Sequence, residues 1–136
     1  MDNILNKLKE LERQVEENEY TEGTVSFYFF AEQLLINGDM IESLRNYFLG
    51  MEVIKENENI DLQEISFPED DMKSICKEWH FDCKLIEELS ILASECDGYY
   101  RIFEDYYYVA KGNVGDIFRI IELDRKVFVL EFYVID

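Results

Sequence analysis

The stretch Thr24-Val25-Ser26-Phe27-Tyr28-Phe29-Phe30-Ala31-Glu32-Gln33-Leu34-Leu35-Ile36 decides the fold. It is apolar almost all round, so it is either a central helix or a buried strand, and periodicity alone does not separate the two. Ala31-Glu32-Gln33-Leu34 propagates a helix well, and Asn37-Gly38 supplies a C-terminal stop. The reading therefore favours a helix over Val25–Ile36 with Thr24 as its cap. A strand over Thr24–Phe30 is the alternative.

Upstream, Ile4, Leu5, Leu8, Leu11 and Val15 recur at helical spacing behind Asp2 as a cap. The stripe is narrow and places that helix on the outside of the core. Downstream, Asp39 and Glu42 form a capping pair ahead of Ile41, Leu44, Phe48 and Met51, predicting a helix to about Glu56. Leu62–Phe67 alternates weakly as a short strand. Ser66, Glu69 and Pro68 mark a fourth helix through Met72, Ile75, Cys76 and Trp79. Asp82 caps a fifth, with Leu85, Ile86, Leu89 and Leu92, ending at Gly98.

Then the period changes. Tyr99–Phe103, Tyr106–Ala110, Ile117–Leu123 and Val127–Ile135 are rich in aromatic and β-branched residues. Glu104-Asp105, the turn Gly112-Asn113-Val114-Gly115, and Asp124-Arg125 separate them. Short connections imply antiparallel hairpins, and Val127–Ile135, apolar on both faces except Glu131, reads as an inner strand. The expected class is α+β: about five N-terminal helices (residues 2–97) packed on a C-terminal antiparallel β-meander of three to four strands (99–135), forming one domain over 1–136.

Charge is the strongest functional signal. The 136 residues carry 31 Asp and Glu against 13 Lys and Arg, a formal charge of −18. Acid is spread over the whole chain: residues 1–68 hold 15 acids and 5 bases, residues 69–136 hold 16 and 8. The chain also has 10 Phe, 9 Tyr and 1 Trp, a content that argues against acidic disorder. Such a field repels nucleic acid and anionic membranes and favours a basic protein partner. The three cysteines and the absence of a basic, apolar leader near Met1 fit a cytoplasmic protein without disulfides.

Chemical constellations are sparse. One histidine, His80, and no nucleophile or phosphate-cradle signature argue against an enzyme. Cys76, His80 and Cys83, with Cys96 further on, have the donor types for zinc, but lack a tight knuckle. Buried cysteine more often acts as a small hydrophobe, so no metal or other cofactor is expected. Glu69-Asp70-Asp71 opens a helix, where acids complement the macrodipole. The tyrosines Tyr99, Tyr106 and Tyr108 bracket the acidic pair Glu104-Asp105. Exposed tyrosine flanked by acids suits an Arg- and Lys-rich groove; the bland alternative is that the rings pack under helices.

These features lead to one expectation. The protein is an acidic inhibitor that binds a basic nuclease or other nucleic-acid-binding protein stoichiometrically and blocks its nucleic-acid site, without contacting nucleic acid itself. Candidate contacts are Glu104, Asp105, Tyr99, Tyr106, Tyr108, Glu69, Asp70 and Asp71. Anti-CRISPR or anti-restriction proteins of phage, and immunity proteins or antitoxins against nucleases, are the classes with this character. A non-catalytic acidic adaptor or regulatory subunit is the alternative.

Overall fold

The computed structural model describes residues 3–105 and 114–136. Elements follow in the order α1 (Asn3–Asn18), β1 (Thr21–Glu22), β2 (Val25–Leu34), α2 (Met40–Gly50), β3 (Gln63–Glu64), α3 (Pro68–Glu78), α4 (Cys83–Glu95), β4 (Gly98–Arg101), β5 (Val114–Leu123) and β6 (Lys126–Ile135). The six strands form one antiparallel sheet in the order β1-β2-β6-β5-β4-β3.

This corrects the expected fold. There are four described helices, not five, and they are interleaved among the strands instead of preceding a C-terminal meander. The sheet has six strands instead of a three- to four-stranded meander, taking in β1 and β3. The largest departure is one segment: Val25–Leu34 is a strand, paired with β6 from Ser26↔Ile135 to Leu34↔Val127. Its burial alternates, with Phe27, Phe29 and Ala31 in the core between more open Tyr28, Phe30 and Glu32. Ladder pairing over nine residues outweighs the helix preference of Ala31–Leu34, since local propensity differences are only tenths of a kcal/mol per residue. Leu35, 83 % exposed, and Ile36 lie past the strand on the surface.

Local signals fare better elsewhere. Asp39 accepts a hydrogen bond from the Ile41 amide at the start of α2, and Asp82 accepts one from the Leu85 amide at the start of α4. α2 stops at Gly50, short of the expected Glu56. α3 begins at Pro68 after Phe67, with no side-chain cap, so Ser66 does not serve that role. Asp2 and the segment Tyr106–Ala110 lie outside the described residues. Val114 and Gly115, read as part of a turn, belong to β5. The β5–β6 hairpin turns through Asp124 and Arg125, both at positive φ (53° and 63°), the twist a two-residue hairpin requires.

Period-two alternation divides the sheet into two faces. On the first, Phe27, Phe29, Phe128, Leu130 and Phe132 pack under α1, α3 and α4 through Leu8, Leu11, Ile75, Trp79, Leu85 and Leu89. On the second, Leu34, Phe118, Ile120, Val127 and Val129 pack with Leu44 and Phe48 of α2 and with Ile54, Ile60 and Ile102. Each fully buried Phe or Leu contributes about 1.5–3 kcal/mol of transfer free energy. β6 is apolar on both sides because both of its faces are covered. α1 packs against β2, where Ala31 is 0 % exposed, and Lys9 reaches from α1 to Glu32 at 3.2 Å. Among the described residues, no helix is long and apolar enough to cross a membrane.

Candidate functional site: a buried arginine cluster and an acidic aromatic face

Three of the acid and tyrosine candidates converge on a buried arginine. Arg119 sits on β5 at 1 % exposure, on the face covered by α1, α3 and α4. Its Nε donates to Asp71 Oδ2 (2.7 Å) and its Nη2 to Asp71 Oδ1 (3.1 Å). Nη1 donates to Asp105 Oδ1 (2.7 Å) and to the Phe118 carbonyl (2.9 Å), and Nη2 also donates to Asp105 Oδ2 (2.6 Å). All five guanidinium hydrogens thereby have acceptors. Tyr99 Oη donates to Asp71 Oδ2 at 2.7 Å, and Arg101 lies 3.4 Å from Asp105. Burial alone would lower the arginine's pKa; the bonds to Asp105 and Asp71 outweigh it, and the net direction is upward. Burial and then the Asp71 charge push the Tyr99 phenol up.

Asp71, Asp105 and Tyr99 are thus committed to an internal cation. Arg119 was not singled out from the sequence, although a signal was present. An arginine enclosed in the apolar run Ile117–Leu123 must find carboxylates if that run is buried. Glu69 and Asp70 stand exposed on the first turn of α3, Glu69 at 3.2 Å from Lys73. Glu104 is exposed beside the cluster. Tyr106 and Tyr108 lie outside the described residues.

The metal-type side chains are dispersed. Cys76 is buried in the core, and that burial pushes its thiol up to about 12. His80 occupies a positive-φ position (62°) where α3 ends: its amide bonds to the Lys77 carbonyl and that of Phe81 to the Cys76 carbonyl. Those two bonds close a Schellman turn. The His80 side chain lies outside, 2.5 Å from Glu22. Cys83 is exposed and Cys96 half-buried. Among the described residues no group of three or more His, Cys, Asp or Glu side chains is placed to hold a metal.

A second arrangement emerges on the α2 side of the sheet. The apolar cluster of α2 reaches the rows Leu34/Val127 and Val129/Ile120 and ends at Phe118. Beyond it the register sets Tyr28 opposite Tyr133 and Tyr133 opposite Asp116; in the next row Phe30 opposes Glu131 and Glu131 opposes Phe118. Tyr28, Phe30 and Tyr133 form a triangle of rings with centroids 6.1–6.3 Å apart. Phe30 is 39 % exposed, and both tyrosines are half-buried. Glu32 adds an exposed carboxylate at the rim. The Tyr47 phenol of α2 is pushed up to about 12, by burial and then by the charges of Glu32 and Glu131.

Glu131 and Asp116 share a hydrogen bond, which requires a proton between them. Burial and then Asp116 push Glu131 up to about 8; burial raises Asp116 as well, while the bond from Glu131 works the other way. The pair therefore holds one shared proton. Between the ordinary value of 4.5 and about 8 the folded protein holds a proton that the unfolded chain releases. This contribution to stability is full below that window and is lost as pH rises through it. Glu131→Gln is expected to abolish the loss. The variant should exceed the parent by about 1–2 kcal/mol at pH 9, allowing for partial solvent access, with little difference at pH 4.5. Urea unfolding followed by Trp79 fluorescence at the two pH values measures it; a difference independent of pH would place the proton elsewhere.

Comparison with protein-family models, with curated proteins and with solved structures gives no match to this chain.

Proposed function

We propose that this protein is a stoichiometric, non-catalytic inhibitor that docks its acidic aromatic face into the nucleic-acid groove of a basic protein. The supporting observation is the composition of that face: the rings of Tyr28, Phe30 and Tyr133 lie together beside the exposed Glu32 and the singly charged Glu131–Asp116 pair. Aromatic rings supply contact area at low entropy cost and cation–π faces for Arg and Lys, while carboxylates occupy positions that phosphates would take. A formal charge of −18 steers a basic partner toward the protein and makes association fast and salt-sensitive. Arg13 is held by Glu10 and Glu17, Lys9 by Glu12 and Glu32, and Arg119 internally, so none of these three cations stands unpaired on the surface.

The test is capture of the partner from host lysate, release by a salt gradient, and titration of the purified pair in a nucleic-acid-binding or nuclease assay. Full inhibition at one equivalent is expected, with affinity falling steeply as salt rises. Phe30→Ala with Tyr133→Ala should weaken the complex by about tenfold or more, as central aromatic contacts do. Glu32→Lys should slow association. A partner held equally well at high salt, or one that keeps its nucleic-acid activity when saturated, would refute inhibition and favour the adaptor role. Glu104→Lys tests the turn after β4 cleanly; Asp105→Lys does not, because Asp105 also anchors Arg119.

A further inference from the structure

The molecule holds two pairs of carboxylates, and only one of them has a cation. Asp71 and Asp105 clasp Arg119 on the first face of the sheet. On the second, Asp116 and Glu131 hold each other through a shared proton, and among the described residues neither forms an ion pair. The register sets both beside rings: Phe30, Glu131 and Phe118 share one row, and Tyr28, Tyr133 and Asp116 the next. Toward β4, Asp116 also lines an open cavity of about 200 Å³ with Phe103, Phe118, Glu58, Glu104 and Asp105. Its wall carries four carboxylates and no lysine or arginine. Small-molecule sites begin at about 300 Å³, so this cavity suits a single side chain.

Taking this face as the docking surface proposed above, we infer that the Glu131–Asp116 pair receives an arginine of the basic partner and exchanges its shared proton for the guanidinium. A guanidinium donates to two carboxylates at once while its plane lies against aromatic rings; an ammonium is a point charge. Arg119 shows this same sheet holding a guanidinium between two carboxylates. With the cation in place the proton passes to solvent, the guanidinium keeps all of its own, and both carboxylates end ionised. The other titratable groups around the pair are Tyr28, Glu32 and Tyr133 of the sheet, Tyr47 of α2, and Glu58, Glu104 and Asp105 along the cavity. The carboxylates among them favour the proton in the free protein and the guanidinium in the complex. The free pair releases its proton as pH rises through about 8, whereas the occupied pair releases it at lower pH. Affinity therefore climbs with pH up to about 8 and is level above it.

N-acetyl tetra-arginine amide is the probe, with the tetra-lysine peptide as its counterpart, each titrated into the intact protein at fixed ionic strength. Amide resonances of β2, β5 and β6 should carry the shifts. Calorimetry in phosphate and in Tris at about pH 7.4 counts protons through the difference in heat; about 0.5–1 should be released per arginine peptide bound. Affinity for that peptide should rise about tenfold between about pH 6 and about pH 8.5, and the lysine peptide should bind about threefold or more weakly. Glu131→Gln fixes the pair in its singly charged form. In that variant the pH rise and the proton release should vanish, and affinity at about pH 8.5 should fall about tenfold. Shifts on this face with no proton release and no pH dependence would overturn the exchange while leaving the docking surface in place. Shifts that avoid the face would overturn both. A pH rise that survives Glu131→Gln would also overturn the exchange.

Discussion

Arg119→Met is expected to destabilise the protein by about 3–5 kcal/mol, because it strips the cation from between two carboxylates held against the core. Asp71 and Asp105 are only partly open to water, at 22 % and 28 % side-chain exposure, and neither can regain full hydration without moving. The Tyr99 hydroxyl, bonded to Asp71, would be left beside an uncompensated charge. Arg119→Lys should recover only part of the loss, since an ammonium cannot reproduce two forked contacts and the bond to the Phe118 carbonyl. Asp105→Asn should cost about 1–3 kcal/mol, with Asp71 still holding the guanidinium. Urea denaturation at pH 7 reads all three, with Trp79, fully buried and bonded through its indole N–H to the Tyr133 carbonyl, as the reporter. A loss below about 1 kcal/mol for Arg119→Met would mean that water or rearrangement restores both carboxylates.

Phe48→Ala should have an effect of similar size through a different cause. Phe48 is 0 % exposed and is the ring on which the second face is built, with Tyr47, Phe103 and Phe118 at centroid distances of 5.0–5.2 Å. Removing it takes away both its transfer free energy and the edge-to-face contacts, leaving a cavity; about 3–5 kcal/mol is expected. The defect should be confined to one layer. Hydrogen exchange should accelerate in α2 and in the Ile54–Ile60 stretch before it does in α3 and α4, which pack on the opposite face. Phe48→Leu, which keeps most of the volume, should cost less than half as much. Equal acceleration on both faces would show that the two clusters unfold as one unit.

Most helices were legible from capping residues and spacing, since those signals are local: Asp39, Asp82 and Pro68 each lie at the edge of a real helix. β5 and β6 were legible because aromatic and β-branched runs flank a two-residue turn. β2 was not. Phe27, Phe29 and Ala31 face the core at a period of two, but Ala31-Glu32-Gln33-Leu34 carries helix formers, and the ladder that overrides them comes from β6, about a hundred residues away. The site suffered from the same error. Tyr28 and Phe30 meet Tyr133 and Glu131 only once β2 is a strand, so the acidic aromatic face had no sequence signature as a unit. Asp71, Asp105 and Tyr99 were picked out as interesting residues. Their convergence depended on Arg119, whose contacts reach across 14 and 48 positions.

The α1 helix lying along β2 bears on how the protein remains a discrete particle. Mutual repulsion among molecules of charge −18 weakens when salt is added or when acid neutralises the carboxylates. An uncovered ten-residue strand rich in aromatics would then recruit copies of itself, backbone to backbone. Leu8, Leu11 and Val15 hold α1 against β2 by apolar contact, which salt strengthens and acid leaves intact. Conditions that remove the electrostatic barrier therefore leave the steric one standing.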